Sequence, residues 1–157
     1  MTHYTPETFE YVRIGMLVGR AALLKDRILD SYLVPHGVTA AQFKVLMIIL
    51  QGYDTPAELC RHLSLDSGSM TRMLDRLEQK NLISRTRSES DRRQVRLSLT
   101  DEGRALNALL PTIGAAAMND FTAALTAAEL ETLEGLLKKM LLAAGDSIVI
   151  ERLGGDA

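Results

Sequence analysis

Apolar residues recur at helical spacing through most of this chain, and the points where that spacing starts, stops and changes divide it into elements. Thr39-Ala40-Ala41-Gln42, Thr55-Pro56-Ala57-Glu58 and Thr126-Ala127-Ala128-Glu129 each have the form of a capping box. In that motif a threonine hydroxyl satisfies one orphan amide and the Gln or Glu reaches back. Asp66 ahead of Ser67-Gly68-Ser69, Thr100 ahead of Asp101-Glu102, and Thr5-Pro6-Glu7 mark further helix starts. The pattern predicts helices over 6–33, 40–51, 56–63, 67–80, 101–125 and 127–144. The first carries Val12, Met16, Leu17, Leu24, Ile28 and Leu29, and Pro35-His36-Gly37 stops it. The fourth places Met70, Met73, Leu74 and Leu77 on one side, and Asn81 suits a left-handed cap at its end. The period then drops to two. Residues 82–87 and 94–99 read as strands, the second alternating Val95, Leu97 and Leu99 with Arg96 and Ser98. Residues 88–93 between them contain nothing apolar and read as a loop.

A chain of 157 residues suits one compact domain with an attached lobe. Its single cysteine excludes an internal disulfide and a Cys-rich zinc cluster. His3, His36 and His62 have no ligand spacing, so neither a metal nor a cofactor is expected. The longest apolar run, Val45 to Leu50, is far short of the ~18–20 residues that span a bilayer. The N-terminus lacks the basic and apolar regions of a signal peptide. These features together predict a soluble cytoplasmic protein with no membrane partner.

The net charge of −2 points away from nucleic acid, but the distribution reverses that reading. Residues 61–100 hold nine Lys/Arg against five Asp/Glu, a net +4, which leaves −6 for the rest of the chain. A phosphate backbone responds to the patch it meets, because charges beyond about 10 Å are largely screened at 0.1 M salt.

A short helix, a brief turn at Ser64-Leu65-Asp66, a longer helix and a basic hairpin make a winged helix-turn-helix pattern. A recognition helix entering the ~12 Å major groove needs small residues at its leading end, and Ser67-Gly68-Ser69 supplies them. Arg72 and Arg76, four apart, share the face opposite the apolar stripe, and arginine suits bidentate contact with guanine or phosphate. Arg92 and Arg93 would sit at the wing tip, placed to enter a narrow minor groove.

Three stretches carry a family likeness: Thr39 to Leu46 with Thr55-Pro56-Ala57-Glu58-Leu59, Leu65 to Leu77, and Ser90-Asp91-Arg92-Arg93 followed by Val95 to Thr100. In order and spacing they closely resemble the MarR family of multiple antibiotic resistance regulators, as does the stretch 125–139. The likeness spans nearly the whole chain and is closer to the family's founding repressor than a general family likeness requires. It implies a mainly α fold with a small β-hairpin wing, a DNA-binding lobe over 38–100, and a dimerisation lobe from 1–37 and 101–157. It further implies a homodimer on a pseudo-palindromic operator, repressing efflux or stress-resistance genes and its own operon, and released by a small aromatic or phenolic anion. By position, Arg72 and Arg76 match recognition-helix contacts, Arg93 matches the wing arginine, and Asp91 would hold the wing in shape. Ser67, Ser69 and Thr71 match phosphate or base contacts. Pro56, Thr71 and Arg85 match residues near salicylate in such repressors, while Met73 and Arg76 match a second surface site. The competing reading of Arg85, which the residues favour, is a strand-face charge turned to solvent or DNA.

Two other classes of function are open to such a chain. A winged helix used for protein contacts would have lost its basic patch, yet Arg72, Arg76, Arg92 and Arg93 are all present. An oxidant sensor would act through Cys60 and needs a lowered thiol pKa. The cysteine of the founding repressor's recognition helix is matched here by Gln79, and Arg61 and His62 are adjacent helical positions expected to diverge. Ser67 and Ser69 have no base arranged with them, so no enzyme is expected.

Overall fold

The computed structural model describes residues 3–11, 13–87 and 94–154. Seven α-helices and one antiparallel hairpin are seen there: α1 (Ile14–Leu33), α2 (Ala40–Leu50), α3 (Pro56–Leu63), α4 (Ser67–Gln79), β1 (Ile83–Arg87), β2 (Val95–Leu99), α5 (Asp101–Thr122), α6 (Ala127–Ala143) and α7 (Ser147–Leu153). This is the mainly α architecture with a small hairpin that the hydropathy pattern predicts. All three capping boxes form, and Asp66 and Thr100 cap α4 and α5. Asn81 takes the left-handed conformation expected of it, at φ 55°.

The ends of the chain differ from expectation. The helix expected over 6–33 is divided into a 3-10 segment at Pro6–Tyr11 and α1 from Ile14. Thr5 and Thr8 are occupied with one another, the Thr5 amide donating to the Thr8 hydroxyl at 2.9 Å, so Thr5 caps no α-helix. Helix α7 has no counterpart in the expected set. Its start signal, Asp146 accepting from the amides of Ile148 and Val149 at 3.1 and 3.0 Å, follows directly on Gly145 at φ 72°. A seven-residue helix has too few periodic positions to show an apolar stripe.

Helix α2 lies at the centre. Apart from Gln42 and Lys44 it is apolar throughout, so most of it must be enclosed. Val45, Leu46, Ile48 and Ile49 are all buried, and α1, α3, α5 and β2 pack around it. Leu29 and Leu33 of α1, Leu59 of α3, Leu74 and Leu77 of α4, Ile83 and Leu97 of the hairpin, and Leu110 of α5 complete this core. At the hairpin root α5 starts hard against the backbone. A Cβ on Gly103 would lie 1.9 Å from the carbonyl oxygen of Leu82, which also accepts from the Thr100 amide at 3.2 Å. Helix α6, by contrast, buries none of its residues within the chain. Among the described residues no single helix is long and apolar enough to cross a membrane.

Candidate nucleic-acid interface

The two helices of the helix-turn-helix are set by their caps. In α3 the Thr55 hydroxyl accepts from the Glu58 amide at 3.3 Å, while the Glu58 carboxylate accepts from the Thr55 amide at 3.0 Å. Pro56 occupies the first helical position, where no amide hydrogen is needed. Ser64, at φ 51°, then turns the chain through the left-handed region into Asp66. The Asp66 carboxylate accepts from the Ser69 amide at 2.8 Å and from the Ser69 hydroxyl at 2.7 Å. These bonds, the side-chain one foremost, hold the Asp66 carboxyl below the usual carboxylate range.

Capping in this way orients α4 with Met70, Leu74 and Leu77 inward, packed against α3 and β1. Ser67, Thr71, Arg72 and Arg76 stand exposed on the other side. The Thr71 hydroxyl donates to the Ser67 carbonyl at 2.8 Å, and Arg72 Nη2 donates to the Ser69 hydroxyl at 3.2 Å. Ser69 therefore links the cap to Arg72, donating to one and accepting from the other. Arg76 makes no hydrogen bond or ion pair among the described residues, so its guanidinium is fully available to an external anion. Asp91, Arg92 and Arg93 lie outside the described residues.

Strands β1 and β2 pair with Arg85 opposite Leu97 and Ile83 opposite Leu99. Leu97 also donates its amide to the Asp54 carbonyl at 2.8 Å, and Arg96 Nη1 reaches the Asp54 carboxylate at 2.5 Å, which anchors the hairpin ahead of α3. Of the residues expected near an effector, Pro56 and Met73 are half-buried, and Thr71 and Arg76 are exposed.

Arg85 differs from the strand-face charge expected. Its side chain is 27% exposed; Nη2 donates to Asp75 at 2.6 Å and Nε lies 3.4 Å from the Glu78 carboxylate. Nε is itself buried and lacks a hydrogen bond of good geometry. Asp75 and Glu78 are partners of Arg85 that the sequence reading missed. The available signal was their spacing of three on α4, which puts both carboxylates on one edge of the helix just ahead of the strand.

The MarR family profile matches residues 38–95. The multiple antibiotic resistance protein MarR of Salmonella typhimurium is 43% identical over 134 residues, covering 84% of this chain and 93% of that protein. The crystal structure of a mutant MarR from Escherichia coli, complexed with operator DNA, superposes with a TM-score of 0.78 at 41% identity, over 87% of this chain and 99% of that one. A MarR family protein of Mycobacterium tuberculosis, in complex with p-aminosalicylic acid, superposes at 0.67 with 29% identity, over 80% of this chain and 96% of that one.

Proposed function

The chain belongs to the MarR family and is a DNA-binding transcriptional regulator, and we propose that it acts as a homodimeric repressor released from a pseudo-palindromic operator by a small aromatic anion. The observation that carries the DNA reading is the polarity of α4. A capped helix turns its apolar side to the core and offers Ser67, Thr71, Arg72 and Arg76 along the free side. Arg76 takes a base edge or phosphate directly, and Arg72 exchanges its bond to Ser69 for one to DNA. Ser67, Ser69 and Thr71 lie where a phosphate meets the positive end of the helix. Arg92 and Arg93, which lie between the two strands in sequence, are proposed to contact the minor groove, with Asp91 supporting them. The relative solved on operator DNA supports this arrangement.

The dimer follows from surface that the chain leaves uncovered. Leu133, Leu136, Met140 and Leu141 of α6, and Met16, Leu17, Leu23 and Leu24 of α1, are all exposed. Monomeric proteins rarely leave apolar stripes of this kind in water. The lobe built from 1–37 and 101–157 covers it against a second copy, while 38–100 faces DNA. Two such lobes present two recognition helices about one turn of DNA apart.

For release, Pro56, Thr71 and Arg85 form the effector site, with Met73 and Arg76 at a second, more exposed one. A benzoate-like anion pairs with Arg85 and lays its ring on apolar side chains. Because Arg85 is already held by Asp75 through Nη2, the incoming carboxylate competes with that partner for the guanidinium. The relative solved with p-aminosalicylic acid supports an anion of this class. The decisive experiment is fluorescence anisotropy on DNA upstream of the gene for this protein, titrated with salt and with salicylate. Tight binding that falls steeply with salt and is weakened by salicylate is expected. Binding insensitive to salicylate overturns the effector site, and failure to select any DNA site overturns the operator reading.

A further inference from the structure

Helix α7 is too short to persist alone in water, so its position is decided by what it touches. Its polar side meets the helix-turn-helix. The Glu151 carboxylate accepts from the Tyr53 hydroxyl and from Arg61 Nη1, the latter at 3.0 Å. Arg152 Nη2 donates to the Gln51 side-chain carbonyl at 2.6 Å and contacts His62 Nδ1 at 3.3 Å. Gln51 and Tyr53 follow the end of α2, and Arg61 and His62 belong to α3. The other side of α7 meets α6, where Val149 and Leu153 share an apolar groove with Leu137 and Leu141. Helix α6 buries nothing of its own in the chain, so α7 serves as its fastening to the DNA-binding lobe.

His62 stands at the centre of this contact. Its ring lies 4.2 Å from that of Tyr53, and Arg61, expected to diverge from it, brings Nη2 to 3.5 Å from His62 Nε2. Guanidinium groups only donate, whereas a neutral imidazole has one nitrogen able to accept and an imidazolium has none. The contact with Arg152 therefore requires neutral His62. The groups facing the ring are Glu58 and Arg61 of its own helix, Tyr53 ahead of it, and Glu151 and Arg152 from α7. Burial, then Arg152 and Arg61, hold His62 below its ordinary value against the opposing pull of Glu151 and Glu58. A histidine lowered in this way favours the closed contact above its ordinary value and loses it as the pH falls through the lowered one.

We propose that α7 is a proton-sensitive clasp, in which Glu151 and Arg152 fasten the α6 arm to the helix-turn-helix while His62 is neutral and release it when His62 is protonated. His62, Glu151 and Arg152 are positioning residues in this account, since they set where the DNA-binding lobe sits relative to α6 without touching DNA. The clasp is independent of the operator reading. Its effect on operator affinity rests on that reading.

Amide hydrogen exchange of the full-length protein without DNA tests the clasp, comparing about pH 7.5 with about pH 5.5 after correction for intrinsic exchange. Protection of the α7 amides in the unsubstituted protein should fall about fivefold on acidification, the worth of one hydrogen bond, while α4 amides stay protected. His62→Gln keeps an uncharged acceptor for Arg152, so it should hold α7 protection at both pH values. Arg152→Ala should leave α7 weakly protected throughout. An equal acid-induced loss in His62→Gln, or full α7 protection in Arg152→Ala, overturns the clasp. Neither result depends on whether the protein finds its operator.

Discussion

Arg85 on the first wing strand and Asp75 on the recognition helix meet at 2.6 Å, the shorter of the two ion pairs by which Arg85 joins the wing to that helix. The same guanidinium is the one proposed to receive an effector carboxylate. Asp75→Asn removes the competing charge and should lower the salicylate concentration that releases half of the bound DNA. Arg85→Gln should raise it. Both variants should fold, because a partly exposed pair of this kind contributes only about 0–1 kcal/mol. Salicylate titrations of the anisotropy signal check the order: Asp75→Asn first, unsubstituted protein next, Arg85→Gln last.

Gly103 leaves no room for a side chain. With a Cβ 1.9 Å from the Leu82 carbonyl, Gly103→Ala must push α5 away from the hairpin root. The expected cost is about 1–3 kcal/mol, the usual range for overpacking a tight contact. Thermal unfolding reads it directly. Gly135→Ala is the control, since a Cβ there meets nothing within 4 Å and helix propensity favours alanine.

Arg76 separates function from stability. It has no partner among the described residues, so Arg76→Ala should leave the unfolding midpoint within a degree or two of the unsubstituted protein. Operator binding should weaken by about 1–3 kcal/mol if the guanidinium reads a base. If it holds a phosphate instead, the loss should be uniform across DNA sequences and the salt slope should fall by about one. Competition anisotropy on operator and scrambled DNA distinguishes the two.

Asp66 links the start of α4 to pH. Its carboxyl is held below the ordinary range by Ser69, so its contribution is complete above that range and disappears as the pH falls through the lowered value. Asp66→Asn keeps a capping oxygen but no charge. It should lower the melting temperature near neutrality and flatten the acid limb of the stability profile. Melting curves from about pH 3 to about pH 7 reveal whether the two profiles converge at the acid end.

Much of this molecule was legible in the chain because its information is local. A threonine followed three residues later by Gln or Glu can satisfy its neighbours wherever the helix lies, so the starts at Thr39, Thr55 and Thr126 could be read directly. The same holds for the period change into the hairpin and for the opposed faces of α4, with Met70, Leu74 and Leu77 inward and Arg72 and Arg76 outward. The family likeness added roles for those positions. What the chain could not reveal depends on which surfaces meet. Arg85 looked like a free strand charge because its partners Asp75 and Glu78 lie on another element and come within reach only when β1 packs on α4. Nothing in the residues around Gly103 sets it apart from any helical glycine, because the constraint on it comes from the hairpin root packed against it. His62 and Glu151 are about ninety positions apart, and a seven-residue helix carries too little pattern to announce where it docks. Local hydrogen bonding is encoded over three or four residues, whereas a charge acquires its partner from packing among helices distant in sequence.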